Sequence, residues 1–395
     1  MAVYLLTTAA VLAAAFALRR LQPVQQHSAE YPYRETRAGA MTKILTAAIF
    51  VCLVIPEALR INVGNDYAKY VEFMHLIRSN AYVPTEIGFN FLVKVIYALC
   101  GTENYLLVFA LFAAMTAALF LAAIRQQADD FAFSFFLFMM LGYYFQTYNT
   151  VRYYFALAIA VWSVKFLLRR EYVPFVLSIL LAATFHKSVL VVLVLYPLAL
   201  IPWKKWQLAC IAALLSTFLL FPAGWMQLIV ALYPSYRDTD YLAGGSVSRI
   251  NILRCAAVII LALLCAQPAE KGTFRRISGL SALCAGDRRL RFYFNCSLGA
   301  LACYVFCSFI PFVSRIAYYL SFTQIFLIPA LLSAMPGGTE REKKRRKILT
   351  GLTVAAAVLY FAAFLFKMSD ENVRILPYQT FLFHDMPKTI SEVTN

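Results

Sequence analysis

The stretch "IGFNFLVKVIYALC", Ile87–Cys100, decides how the rest of the chain is threaded. It is apolar apart from Asn90 and Lys94, yet it holds only 14 residues. A helix that crosses a bilayer needs about 20 apolar residues, and a run this short reads as a re-entrant or interfacial element. If it crosses, every later segment changes side.

The composition establishes the setting. Of 395 residues, 62% are hydrophobic and 14% charged, and the mean hydropathy is +0.69. That excludes a water-soluble globular domain. Apolar runs recur from end to end, about twelve of them long enough to be read as spans, with no hydrophilic block large enough for a separate domain. The expected fold is an all-α polytopic membrane protein, one integral membrane domain over residues 1–395. The first run, "MAVYLLTTAAVLAAAFALRR", has its arginines after the apolar core instead of before it, so it reads as a retained helix and not as a cleaved signal.

Treating Ile87–Cys100 as non-spanning places Arg125, Arg169, Arg170, Lys204, Lys205, "KGTFRR", "DRRLR" and "REKKRRK" on one side with "RRLQPVQQHSAEYPYRETRAGAMTK". That side collects more than half of the 36 Lys and Arg, and the positive-inside rule makes it cytoplasmic. Both termini then lie outside. The expected layout is an outer loop with an interfacial helix at 60–103, an outer loop at 223–249, basic cytoplasmic loops at 267–291 and 336–347, and an outer tail at 368–395. The net charge of +16 is thereby a topology signal and an attraction to anionic inner-leaflet lipid, and no nucleic-acid partner is needed. Nine cysteines sit mostly in apolar runs as small hydrophobes, and no carboxylate or His/Cys cluster has metal-ligand spacing. Metal-independent chemistry without a cofactor is expected.

With this threading, polar residues gather at outer helix ends. Arg60, Arg152, Arg249 and Arg315 come from four separate regions, and with them are Asp66, Tyr67, Tyr70, Glu86, Asn149, Tyr153, His186 and Lys187. Each arginine taken singly is also explained by snorkelling to headgroups. Taken together they form a cationic cluster suited to phosphate, because a guanidinium stays charged where water is scarce and offers a planar set of donors. The same charges stabilise a departing pyrophosphate. Asp66 and Glu86 are candidate bases, with solvation or an ion pair as the plain alternative; His186 is either a hydrogen-bonded helix-hairpin residue or a proton-transfer group. The loop "PSYRDTDYLAGGSVSRIN" reads as mobile.

"GNDYAKY", "TEIGFNFL", "YNTVRYYFALAIAV", "ATFHKSVLV" and "VSRIAYY", in that order and spacing, resemble the pattern of the EpsG-like family of bacterial membrane proteins, similar to Wzy-type polysaccharide polymerases. The resemblance covers roughly residues 60–335. Tyr153 stands where the family pattern usually has Gln after the arginine. The resemblance implies a GT-C-like membrane glycosyltransferase of the bacterial plasma membrane, its active site facing the periplasm or cell exterior. It implies transfer of a glycan from undecaprenyl diphosphate to the non-reducing end of another lipid-linked repeat unit, for exopolysaccharide or O-antigen synthesis. Arg60, Arg152 and Arg315, with Arg249, would hold the diphosphate; Asp66 or Glu86 would orient or deprotonate the acceptor hydroxyl, and His186 would support either. Tyr67, Tyr70, Asn149 and Tyr153 are candidate sugar-side residues, with the interfacial aromatic belt as the plain alternative for the tyrosines. Membrane lipid and a chain-length regulator are the partners it admits. Alternative readings are a polyprenyl-phosphate-sugar transferase, which would use the same arginines, and a lipid-linked-oligosaccharide flippase. A flippase is disfavoured by the lack of internal repeats and by charges placed at helix ends.

Overall fold

Inside hydrocarbon, backbone N–H and C=O groups find partners only within their own segment, and the chain meets that constraint with helix throughout. The computed structural model describes residues 1–27, 37–232, 247–266, 280, 283–310, 313–368 and 373–385. Among these the ordered elements are helices, and the sole strand-like pairing is one antiparallel bridge between Arg60 and Thr380.

Among the described residues, six candidate membrane spans are long and apolar enough to cross a bilayer. They fall in α1 (Ala2–His27), α2 (Arg37–Ala58), α5 (Tyr105–Gln127), α8 (Val151–Leu168), the stretch Val313–Ser333 and the last helix, Glu340–Lys367. A seventh is α11 (Lys205–Leu220) with α12 (Pro222–Leu232), if that pair, bent by 95°, is one span. The bend has a local cause: Phe221, held out of helix at φ −130° and ψ 53°, precedes Pro222, whose ring disfavours helical geometry in the residue before it.

The sequence led to about twelve spans, and several of the stretches it counted are broken helices. Residues 131–148 divide into α6 (Phe131–Met140) and α7 (Tyr143–Gln146), because Gly142 takes a left-handed φ of +77° between them. Likewise α9 (Tyr172–Ala183) stops after 12 residues, and a 3-10 turn at Lys187–Val191 precedes the short α10 (Val192–Ala199). At about 1.5 Å rise per residue, none of these crosses the roughly 30 Å hydrocarbon core alone.

The chain forms two compact units where the sequence read as one domain. Unit 1 comprises Met1–Lys165, Val176–Lys187 and Thr350–Asn395; unit 2 comprises Phe166–Phe175 and Ser188–Leu349. In unit 1, α1 packs along α2 and α6, and α2 along α5. One end of this bundle is basic, with Arg19 paired to Asp130 at 3.0 Å and Arg125 donating to Thr46 at 3.3 Å. The opposite end carries α3 (Tyr67–Arg78), α4 (Ile87–Cys100) and the tail after the last helix. There Tyr4 donates to the Ile375 carbonyl (2.8 Å), Tyr378 to that of Pro56 (2.9 Å), and the Ile61 amide to that of Gln379 (3.0 Å). The 60–103 loop and the tail therefore share one end of unit 1.

Helix α4 is short, as its length required, and its orientation follows from two aromatic contacts. Phe89 meets Phe112 at 5.7 Å between ring centroids, and Tyr97 meets Tyr105 at 6.4 Å. Phe112 lies about 10 Å farther along α5 than Tyr105. Thus α4 runs antiparallel to α5, its amino end about two turns along α5 and its carboxyl end at the start of α5.

In unit 2, α13 (Arg249–Cys265), α14 (Arg288–Phe306), α15 (Val313–Ser321) and α16 (Gln324–Ser333) pack together around α14. The basic run at 341–347 belongs to the first turns of α17 (Glu340–Lys367) and not to a loop. Residues 233–246, 267–279 and 386–395, in the expected outer loop, basic loop and tail, lie outside the described residues, as does most of the stretch expected to be a mobile loop.

Gly64 shows how tightly the loop is seated. Its φ is +102°, its amide donates to the Arg374 carbonyl (2.8 Å), and a Cβ there would stand 2.0 Å from the Tyr148 carbonyl oxygen. Gly101 has a similar φ of +72° but open space around it. Gly64→Ala is therefore expected to destabilise the protein by at least about 2 kcal/mol, against roughly 1 kcal/mol for Gly101→Ala, as read by thermal unfolding in detergent.

Candidate functional site

The first turn of α8 is where the polar residues of unit 1 converge. Just before it, Asn149 accepts from the Asn65 amide through Oδ1 (3.0 Å) and donates through Nδ2 to Gln146 Oε1 (3.1 Å). Thr150 donates its hydroxyl to Asp66 Oδ2 at 3.0 Å. One residue into the helix, Arg152 donates from Nη1 to Glu86 Oε2 in an ion pair. The other oxygen of Glu86 accepts from the Lys187 amide at 3.2 Å. Finally, the Tyr153 ring stands edge-on to His186 at 5.3 Å.

Four sequence stretches that are far apart in the chain, around residues 64–70, 85–90, 148–154 and 184–187, thus meet at one helix start. The meeting depends on Gly88, whose amide donates to the Thr184 carbonyl at 2.8 Å. A Cβ at Gly88 would approach Thr184 Oγ1 to 2.5 Å, so only glycine lets the amino end of α4 come this close to the end of α9.

Arg152 is held the way a cation in apolar surroundings must be. Its guanidinium lies 5.5 Å from the centroids of both the Tyr70 and Phe89 rings, whose negative faces supplement the Glu86 carboxylate. The side chains of Arg152 and Glu86 retain 12% and 15% exposure, so the pair is nearly buried yet reachable. Burial pushes the Tyr70 phenol up, with the adjacent Arg152 charge opposing. Burial also raises the Tyr67 phenol against the opposing pull of Arg60. Both phenols are neutral at physiological pH, and the Tyr67 hydroxyl donates to the Arg60 carbonyl at 3.5 Å.

The other predicted residues are placed differently. Arg60 is 1% exposed, its guanidinium 4.9 Å from the Tyr148 ring centroid and 5.4 Å from that of Phe109, and its Nε and Nη1 have no hydrogen-bond partner among the described residues. It is walled in behind the site. Tyr67 closes that wall by stacking on Phe109 at 4.5 Å. Arg249, exposed at the first residue of α13, and Arg315, half-buried on α15, both belong to unit 2.

Sequence reasoning passed over three charged groups. Glu57, buried one turn before Arg60, accepts from the Thr147 hydroxyl at 2.9 Å; its signal was the spacing in "PEALR". Arg254, 6% exposed in the apolar α13, donates to Ser321 Oγ at 3.2 Å and lies 5.8 Å from the Tyr318 ring centroid. A cation inside an apolar helix is itself a signal. His75 donates from Nδ1 to Glu103 at 3.2 Å, and Tyr105 donates to the same oxygen. No sequence spacing foretold that pairing.

The family model described as the EpsG family matches residues 43–380, most of the chain. No curated protein matches it.

Breaking a nearly buried ion pair leaves one charge uncompensated. Arg152→Ala and Glu86→Gln are each expected to destabilise the protein by about 3 kcal/mol, and the double variant by less than the sum, with a coupling of at least about 1 kcal/mol. Thermal unfolding of the four proteins in one detergent reads the coupling, and additivity would show that the pair contributes nothing.

Proposed function

The chain belongs to the EpsG family, and from that premise we propose that it is a polymerase of exopolysaccharide synthesis whose catalytic centre is the Arg152–Glu86 pair. The donor is a glycan on a polyprenyl diphosphate, of which undecaprenyl diphosphate is the expected carrier. The acceptor is the non-reducing end of another lipid-linked repeat unit, and the site faces away from the cytoplasm.

The observation that carries this reading is the convergence on the first turn of α8 of an arginine, two carboxylates and the Tyr70 ring, in apolar surroundings at the end of unit 1 away from its basic end. The arginine and one carboxylate suffice for a glycosyl transfer. The acceptor hydroxyl oxygen forms a bond to the anomeric carbon of the donor, and the bond from that carbon to the diphosphate oxygen breaks. The diphosphate leaves with the electron pair, and Arg152 stabilises its charge. The hydroxyl proton passes to a carboxylate.

Of the two carboxylates, Glu86 is the better placed base. In the resting geometry it is bound to Arg152, so neither is free to react. Phosphate oxygens compete for the guanidinium because they match its donors at least as well as the carboxylate does. Binding of the donor thereby releases Glu86, which the Lys187 amide still holds by its other oxygen. Asp66, engaged by Thr150, anchors the start of α8. Arg60 forms the wall behind the site, and His186 fixes the Tyr153 ring.

The test is the replacement of Arg152 by Lys and by Ala in a strain lacking the native copy, with membrane levels checked by immunoblot and lipid-linked glycans resolved on a gel. Single repeat units are expected from both variants when normalised to protein level, with Arg152→Lys the variant whose level is expected to hold, since Lys keeps the charge but loses the planar donors. Normal long chains from both would overturn the role given to Arg152.

A further inference from the structure

Residues 373–385, beyond the last helix, have no part in the chemistry above, yet they are tied at two places to the loop that leads into α3. Around the Arg60–Thr380 bridge the pairing is antiparallel: the Ile61 amide donates to the Gln379 carbonyl (3.0 Å), and the Phe381 amide donates to the Leu59 carbonyl (3.2 Å). At the other place the Gly64 amide donates to the Arg374 carbonyl (2.8 Å), and Arg374 returns a bond from Nη2 to Asn62 Oδ1 (2.8 Å). The tail is itself fixed to the bundle. Tyr378 caps the Pro56 carbonyl at the end of α2, Tyr4 of α1 holds the Ile375 carbonyl, and the Ile375 side chain is fully buried.

The loop needs these partners. With Asn62 at φ +50° and Gly64 at φ +102°, residues 59–64 leave helical geometry, so their amides and carbonyls must be satisfied from outside. The tail supplies the acceptors for Ile61 and Gly64 and the donor for Leu59. Asn65 and Asp66 follow at once, and these are the residues that hold the start of α8 through Asn149 and Thr150. Arg152 stands two residues beyond Thr150. A continuous set of contacts, all within unit 1, therefore runs from the tail through the loop to the guanidinium. Placement matters there, because a shift of about 1 Å in a group that meets the reacting atoms costs on the order of 100-fold in rate.

We infer that the tail is a positioning strap for the reaction. Arg374 and the backbone of residues 379–381 fix the 59–66 loop, and through Asn65 and Asp66 they set the first turn of α8 and the place of Arg152. Arg374 and Phe381 are positioning residues that act through the loop. The inference rests on the proposed polymerase reading for the reaction that this placement serves.

Two matched pairs of variants test it. Phe381→Pro deletes the amide donor to Leu59 and Phe381→Ala keeps it; Arg374→Ala removes the donor to Asn62 and Arg374→Lys retains one. Hydrogen–deuterium exchange of the full-length proteins in nanodiscs follows residues 59–66, residues 149–154 and, as a control in unit 2, α13. Several-fold faster exchange in both unit 1 stretches is expected for Phe381→Pro and Arg374→Ala, with α13 unchanged, and near-native exchange for Phe381→Ala and Arg374→Lys. In a strain lacking the native copy, Phe381→Pro and Arg374→Ala are expected to yield at least about fivefold less long-chain glycan per unit of protein, and their partners near-native amounts. Faster exchange that stops at 59–64 without reaching 149–154 overturns the strap, as does normal glycan from a variant whose 149–154 stretch has loosened. Should Phe381→Pro also loosen α13, it has disturbed the whole fold, and the Arg374 pair decides. Exchange needs no substrate, so it is read apart from polymer formation. Loosening of 149–154 in a protein whose native form makes no polymer upholds the strap's hold on α8 while removing the polymerase reading.

Discussion

A guanidinium in apolar surroundings is the constraint on which unit 1 is built. Leaving Arg152 without a counter-charge costs several kcal/mol, so its surroundings are organised to supply one. Glu86 comes from the start of α4, Tyr70 from α3 and Phe89 from α4, and all three need the 60–103 segment folded back onto α8. The hydrogen bonds of Asn149 and Thr150 to residues 65 and 66 fix the same segment from its other end.

Close backbone approach is the second requirement, and glycine meets it twice. Gly64 lies against the Tyr148 carbonyl and Gly88 against Thr184, each where any Cβ would collide. These two contacts bring the loop, α4 and the end of α9 within hydrogen-bonding range of one another.

Bilayer length also shaped the helices that do not cross. Gly142 and Pro222 interrupt runs that composition alone would count as continuous. Composition registers how apolar a run is but not whether its backbone stays helical, and among the described residues six helices, or seven spans with the bent pair, are long and apolar enough to cross. The breaks create helix ends within or near the apolar layer, and helix ends are where α8 begins and α9 stops. The site occupies such a break.

Composition and run length by themselves determined that this is an all-helical membrane protein, marked Ile87–Cys100 as short for a span, and drew attention to Arg152, Glu86, Asp66 and His186 as polar groups at helix ends and in loops. Those properties are local, set by the length and polarity of each run. The ordered motifs carried the family resemblance, which the match over residues 43–380 bears out. Only the tertiary structure decided that Glu86 pairs with Arg152, that Asp66 is taken by Thr150, that Arg60 is sealed behind Tyr148 and Phe109, and that Glu57 and Arg254 are buried charges. Pairing between residues 66 positions apart depends on how helices pack and where glycines let backbones touch, and no spacing along the chain encodes that distance.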